Sequence, residues 1–120
     1  MMNTRKVGRD KEELAAAHLE KQGVIIQDRS YRCRSGEIDL IGKDQEYLVF
    51  FEVKYRHNAE KGHPEEAVGP SKQRQICRVA DYYRCVKHIS LETAVRYDVV
   101  AIEGEQIRWV KNAFSHHYRQ

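Results

Sequence analysis

Apolar residues recur along this chain in two rhythms, and the change of rhythm outlines its elements. Leu14, Ala15 and Leu19 share one side of a helical projection, which predicts a helix from about Arg9 to Gln22, ended by Gly23. A strand follows from about Val24 to Arg32. Leu40-Ile41 and Leu48-Val49-Phe50-Phe51 are then two short apolar runs separated by the polar Lys43-Asp44-Gln45-Glu46-Tyr47, the pattern of an antiparallel hairpin. Residues His57 to Pro70 contain both prolines and two glycines and predict a loop, with room for a short helical turn. The stripe Ile76, Val79, Ala80, Tyr83 and Val86 predicts a second helix, capped by Ser71 and running to about Lys87. Strands from about Ala94 to Ile102 and Gln106 to Val110, joined at Gly104, complete the order αβββαββ. The expectation is one α/β domain over residues 1–120, with 112–120 as a flexible tail.

Charges interrupt the two central runs. The first reads Gly36-Glu37-Ile38-Asp39-Leu40-Ile41, the second Phe50-Phe51-Glu52-Val53-Lys54. Side chains alternate faces along a strand, so Glu37 and Asp39 share a face, as do Glu52 and Lys54. If Asp44 to Tyr47 form a four-residue loop closed by Lys43 and Leu48, Asp39 falls opposite Glu52 and Glu37 opposite Lys54. All four charges then share one face; a shift of one residue would separate them.

Burying a carboxylate without a partner is costly. Cross-strand salt bridges are one solution. The other is a metal site: Asp39 and Glu52 offer hard oxygen ligands suited to Mg²⁺, with Mn²⁺ as a substitute, and the carbonyl of Val53 can add a third. Lys54 would then orient or deprotonate an attacking water, or stabilise charge on a phosphate. Such a set supports hydrolysis of phosphodiester bonds.

Two helical residues extend this set. Lys72 lies within the apolar stripe of the second helix, in its first turn. It either snorkels to solvent or contacts a phosphate beside the metal. Arg74 and Arg78 lie on the opposite side. In the first helix Glu12 borders the inner face while Glu13 points away; both also suit the positive end of the helix dipole. Arg96 and Asp98 share a strand face and are expected to pair. Arg29, Arg32, Arg34 and Arg56 would coat a solvated face or track phosphates.

Asp39…Glu52-Val53-Lys54 resembles the core of the PD-(D/E)XK nuclease superfamily. The strings Tyr31-Arg32-Cys33-Arg34-Ser35-Gly36-Glu37-Ile38-Asp39-Leu40-Ile41 and Val49-Phe50-Phe51-Glu52-Val53-Lys54-Tyr55-Arg56 are similar to the YraN-like family of small bacterial proteins. The likeness continues in Lys72-Gln73-Arg74 and Arg96-Tyr97-Asp98-Val99-Val100 and ends near Phe114. It implies a restriction-endonuclease-like core, a mixed central sheet flanked by helices. It also implies a Mg²⁺-dependent endonuclease acting on DNA, with Asp39, Glu52 and Lys54 catalytic, and Glu12, Glu37, Lys72 and Gln73 in support. The layout is similar to archaeal Holliday-junction resolvases, which implies branched or damaged DNA as substrate and a homodimer as the working form. The alternative is a nucleic-acid-binding protein that keeps the fold with little or no chemistry.

Composition is compatible with either. Charged residues make up 32% of 120 positions and the net charge is +3, a mild excess that permits nucleic-acid binding. No apolar run is long enough to span a membrane, and Arg5-Lys6 is not followed by an apolar signal core, so the expected location is the cytoplasm. Three cysteines, an odd number, fit a reducing compartment, and Cys77 and Cys85 on one helix stand too far apart for a disulfide. His116-His117 are expected in the tail and not as metal ligands.

Overall fold

A computed structural model describes residues 4–56 and 68–118, with side chains from residue 8 onward. The elements follow the expected order: α1 (Thr4–Lys21), β1 (Ile25–Cys33), β2 (Gly36–Asp44), β3 (Tyr47–Arg56), α2 (Pro70–Val86), β4 (Val95–Glu103) and β5 (Gln106–Phe114). The five strands form one mixed sheet in chain order, β1-β2-β3-β4-β5. Three pairings are antiparallel hairpins; β3 and β4 run parallel, which requires the crossover through α2. The loop residues 57–67, with His57, His63 and Glu65-Glu66, lie outside the described residues.

Each helix covers one face of the sheet. Against α1 pack Leu40, Val49, Phe51, Val100 and Ile102, joined by Ala15, Ala16 and Leu19. Against α2 pack Ile38, Ile41, Leu48, Phe50, Tyr97 and Val99, joined by Ile76, Cys77, Val79, Ala80 and Tyr83. The middle strands carry apolar residues on both faces because both faces are covered, which is why β3 reads as a continuous apolar run. Two stripe residues differ from expectation. Leu14 and Val86 are 47% exposed, because alanines bring α1 close to the sheet and leave Leu14 on the rim, while Cys77 takes the buried place beside Ile76.

Several boundaries also move. α1 begins at Thr4, five residues before the expected Arg9, since a helix tolerates a single Gly8 at about 1 kcal/mol relative to alanine. Ser71 is not the cap of α2. Gly69 occupies the cap and Pro70 opens the helix, where its fixed φ and missing N–H cost nothing. The β2–β3 turn is tighter than expected: Asp44 pairs with Tyr47, leaving only Gln45-Glu46 in the turn, and Gln45 adopts a left-handed φ of 56°.

The expected tail is largely built into the fold. β5 continues to Phe114. Beyond it, the Tyr97 hydroxyl meets His116 Nδ1 at 2.6 Å, and the N–H of His117 donates to Cys77 Sγ at 3.3 Å. Short apolar alternation after Val110 hides this extension from the sequence. β5 is held by a buried network around Asp98, which is fully buried and accepts from Arg96, from Trp109 Nε1 at 2.8 Å and from the N–H of Asn112 at 2.9 Å. Asp98 therefore satisfies the donors of an irregular stretch of the β4–β5 ladder, between Tyr97 and Val99, and the expected Arg96–Asp98 pair also takes in Asp44.

Candidate active site at the fork of the central hairpin

The β2–β3 ladder runs from Asp44–Tyr47 to Leu40–Phe51. One step further Asp39 comes opposite Glu52, as the hairpin register requires. There the backbone pairing stops, and the N–H of Val53 donates instead to Oδ2 of Asp39 at 2.8 Å. Face alternation breaks at the same residue. Leu40 packs toward α1 and Ile41 toward α2, yet Ile38 also packs toward α2. Asp39 thus sits where β2 and β3 fork, its carboxylate turned to β3.

Glu52 is 6% exposed on the α2 side of β3, and Lys72 Nζ lies 3.8 Å from its Oε2. The inward-facing lysine of α2 is therefore brought to the carboxylate pair. Burial, then the charge of Glu52 and a hydrogen bond with it, push Asp39 up to about 8; the Val53 N–H pulls the other way. Lys54, two residues beyond Glu52, is half-buried on the same side of the strand.

Glu12 is placed on the far side of the fork. It accepts from Ser30 Oγ at 3.0 Å, and burial and then the charge of Asp39 raise its pKa. Ser30 takes a left-handed φ of 48° within β1. Glu37 departs from expectation. It does not stand opposite Lys54, because the ladder has already ended; it pairs across β1–β2 with Arg32, at 3.1 Å from Nε. Gln73 is also redirected. Its Nε2 donates to the Val68 carbonyl at 2.9 Å and its Oε1 meets His117 Nε2 at 2.8 Å, so it fastens the C-terminal segment and not the acidic pair.

Gln75 was missed by sequence reasoning. Its side chain lies across Gly36, so close that a Cβ on that glycine would stand 2.7 Å from Gln75 Cδ. Gly36 also has φ 144°, in the region that favours glycine. The sequence signal was the glycine beside two arginines, with no hint of which helical residue faces it.

The donor set fits a hard divalent cation. Two carboxylates crowded enough to hold a proton near neutral pH would exchange it for a cation. Among the described residues no cluster of three His, Cys, Asp or Glu side chains is assembled. Mg²⁺ does not need one, since it keeps several waters and binds through one or two carboxylates. No described helix is long and apolar enough to cross a membrane.

Comparison with known sequences is consistent along the chain. The family model for "Uncharacterised protein family UPF0102" matches residues 11–102, which include Asp39, Glu52, Lys54 and Lys72. A UPF0102 protein of Lachnoclostridium phytofermentans is 50% identical over 113 residues, covering 94% of this chain and 96% of its own. A UPF0102 protein of Syntrophus aciditrophicus is 42% identical, covering 95% and 92%. One from Coxiella burnetii is 41% identical, covering 96% and 97%.

Proposed function

This chain belongs to the UPF0102 family, the YraN family, and from its site we propose that it is a Mg²⁺-dependent endonuclease that hydrolyses DNA phosphodiester bonds. The supporting observation is the placement of Asp39 against Glu52 at the fork, with Lys72 3.8 Å from Glu52 and Lys54 on the same strand face. The αβββαββ order and the five-stranded mixed sheet between two helices are compatible with a nuclease-like core.

Mg²⁺, or Mn²⁺ in its place, would supply Lewis acidity toward the phosphate and a more acidic bound water. Asp39, Glu52 and the carbonyl of Val53 would hold it. The Val53 N–H fixes the rotamer of Asp39, so one carboxylate oxygen is committed to the strand and the other is left for the ion. Lys54 would orient the attacking water or stabilise charge developing on the phosphate. Lys72 would balance Glu52 in the free protein and contact the phosphate in the complex. Glu12, beyond the fork, would tune Asp39 by its charge. Branched or damaged DNA is the substrate structure favoured by the likeness to resolvases, and a symmetric dimer suits a branch with two equivalent strands.

The competing function is nucleic-acid binding with little chemistry. It is favoured by the lack of a third acidic, histidine or cysteine ligand among the described residues. A cleavage panel of linear, single-stranded, flap and four-way DNA with Mg²⁺ or Mn²⁺ separates the two. Metal-dependent cleavage of any form supports the nuclease; binding of DNA without cleavage by either metal supports the binding protein.

A further inference from the structure

Beside the fork, the β1–β2 turn and the first turns of α2 border an open, shallow groove of about 420 Å³. Arg32, Arg34, Ser35, Gly36, Lys72 and Gln75 line it, with Cys33 and Glu37. Its charges are unequal in availability. Arg32 is engaged by Glu37 and Lys72 by Glu52. Arg34 has no carboxylate partner among the described residues and stands exposed in the turn. Gly36 and Gln75 both line it, and the amide of Gln75 lies against Gly36. The groove on the other side of Arg32 and Glu37 is different: it adds Glu12 to Arg9, so its charges cancel. Of these two grooves, the one on the α2 side carries the cationic excess, and Lys72 belongs both to it and to the surroundings of Glu52.

We propose that this groove is a phosphate subsite, in which Arg34 and Gln75 bind the phosphate neighbouring the one at Asp39 and Glu52. The assignment of that phosphate to a strand being cut rests on the nuclease function proposed above; the binding of a phosphate does not. Arg34 supplies a forked, charged donor set and Gln75 a neutral donor held over Gly36. Lys72 connects the two places, since its ammonium reaches Glu52 and lines the groove. A strand held here enters along the α2 face of the sheet and leaves the Glu12 side free.

The probe is thymidine 5′-monophosphate, titrated into the metal-free full chain and followed by amide NMR shifts. Without metal, the pair of Asp39 and Glu52 shares one proton and keeps one negative charge, which disfavours an anion there, so this measurement isolates the groove from the cleavage site. Saturable shifts are expected at Ser35, Gly36 and Gln75. Arg34→Ala and Gln75→Ala should each weaken binding, by about tenfold for the charged donor and about threefold for the neutral one. Lys87→Ala, exposed at the far end of α2, should leave it unchanged. Arg34 is exposed and Gln75 half-buried, and a wild-type-like amide spectrum of each variant verifies folding. No saturable binding, shifts centred elsewhere, or equal affinity in Arg34→Ala and wild type would overturn the subsite. Phosphate binding in the groove by a protein that cleaves no DNA would uphold the subsite and overturn the nuclease function.

Discussion

The backbone N–H of Val53 donates to Oδ2 of Asp39 across 2.8 Å, at the point where β2 and β3 part. A side chain thus completes a ladder that the backbone has left. The bond stabilises Asp39 as an anion, but burial and the charge of Glu52 outweigh it and keep Asp39 protonated up to about pH 8. The pair is poised: one proton holds it together without metal, and a cation can take that proton's place.

This proton makes stability depend on pH. Asp39 ordinarily titrates at 3.8 and is pushed up to about 8 in the fold. Between those values the folded chain holds a proton that the unfolded chain has released, so stability falls as pH rises. Metal-free protein should therefore lose stability progressively between about pH 5 and pH 8. Asp39→Asn should flatten the profile. Melting curves in chelator across this range check it; an unchanged slope in the variant would place the proton elsewhere.

Divalent cations should raise the melting temperature at pH 8, where they displace the shared proton at least cost. Glu52→Gln should lose this rise together with cleavage, because a charged ligand becomes neutral. Lys54→Ala should keep the rise and lose cleavage by about 10²-fold or more. Calorimetric melting and cleavage rates on the same preparations make the comparison. Equal cleavage by Lys54→Ala and wild type would remove the lysine from the chemistry.

Lys72→Met separates metal from DNA. The ammonium stands 3.8 Å from Glu52 and is 38% exposed, so it competes weakly with a cation for that carboxylate. Its removal should tighten Mg²⁺ binding by about threefold, the scale of a partly exposed ion pair. DNA affinity should fall in the same variant, since a phosphate contact is lost. Titrations of each ligand alone give the two signs. Weakened metal binding would mean that Lys72 supports the site's structure instead.

Asp98→Asn tests the buried network. Asp98 is fully buried and pairs with Arg96, whose side chain is 11% exposed. Neutralising one partner of such a pair leaves a buried charge short of compensation, at a cost of about 3 kcal/mol or more. Urea unfolding should show this as a lower midpoint with an unchanged slope. A cost below 1 kcal/mol, as for a surface pair, would mean that Asp44 alone suffices for Arg96.

By itself the sequence determined the order of elements and the hairpin register. Period-two alternation excludes a one-residue slip, and the register that gathers the charges on one face, closed by Lys43 and Leu48, is the one observed; it carries Asp39 to Glu52. It also determined that Lys72 faces inward, because a helical stripe fixes the direction of each residue on its own helix. The tertiary structure alone decided which residues meet across elements. Gln73 and Gln75 are about 200° apart on α2 at about 100° per residue. Either could have faced the acids; the seating of α2 turns Gln73 to Val68 and His117 and lays Gln75 over Gly36. Glu37 met Arg32 because the strands fork at Asp39, and a fork follows from packing on both faces, which no local pattern records. Residues 112–120 read as a flexible tail because the partners of His116 and His117, which are Cys77, Asp81 and Tyr97, are far away in the chain. Periodicity reports directions within an element; contacts between elements depend on how the whole chain closes.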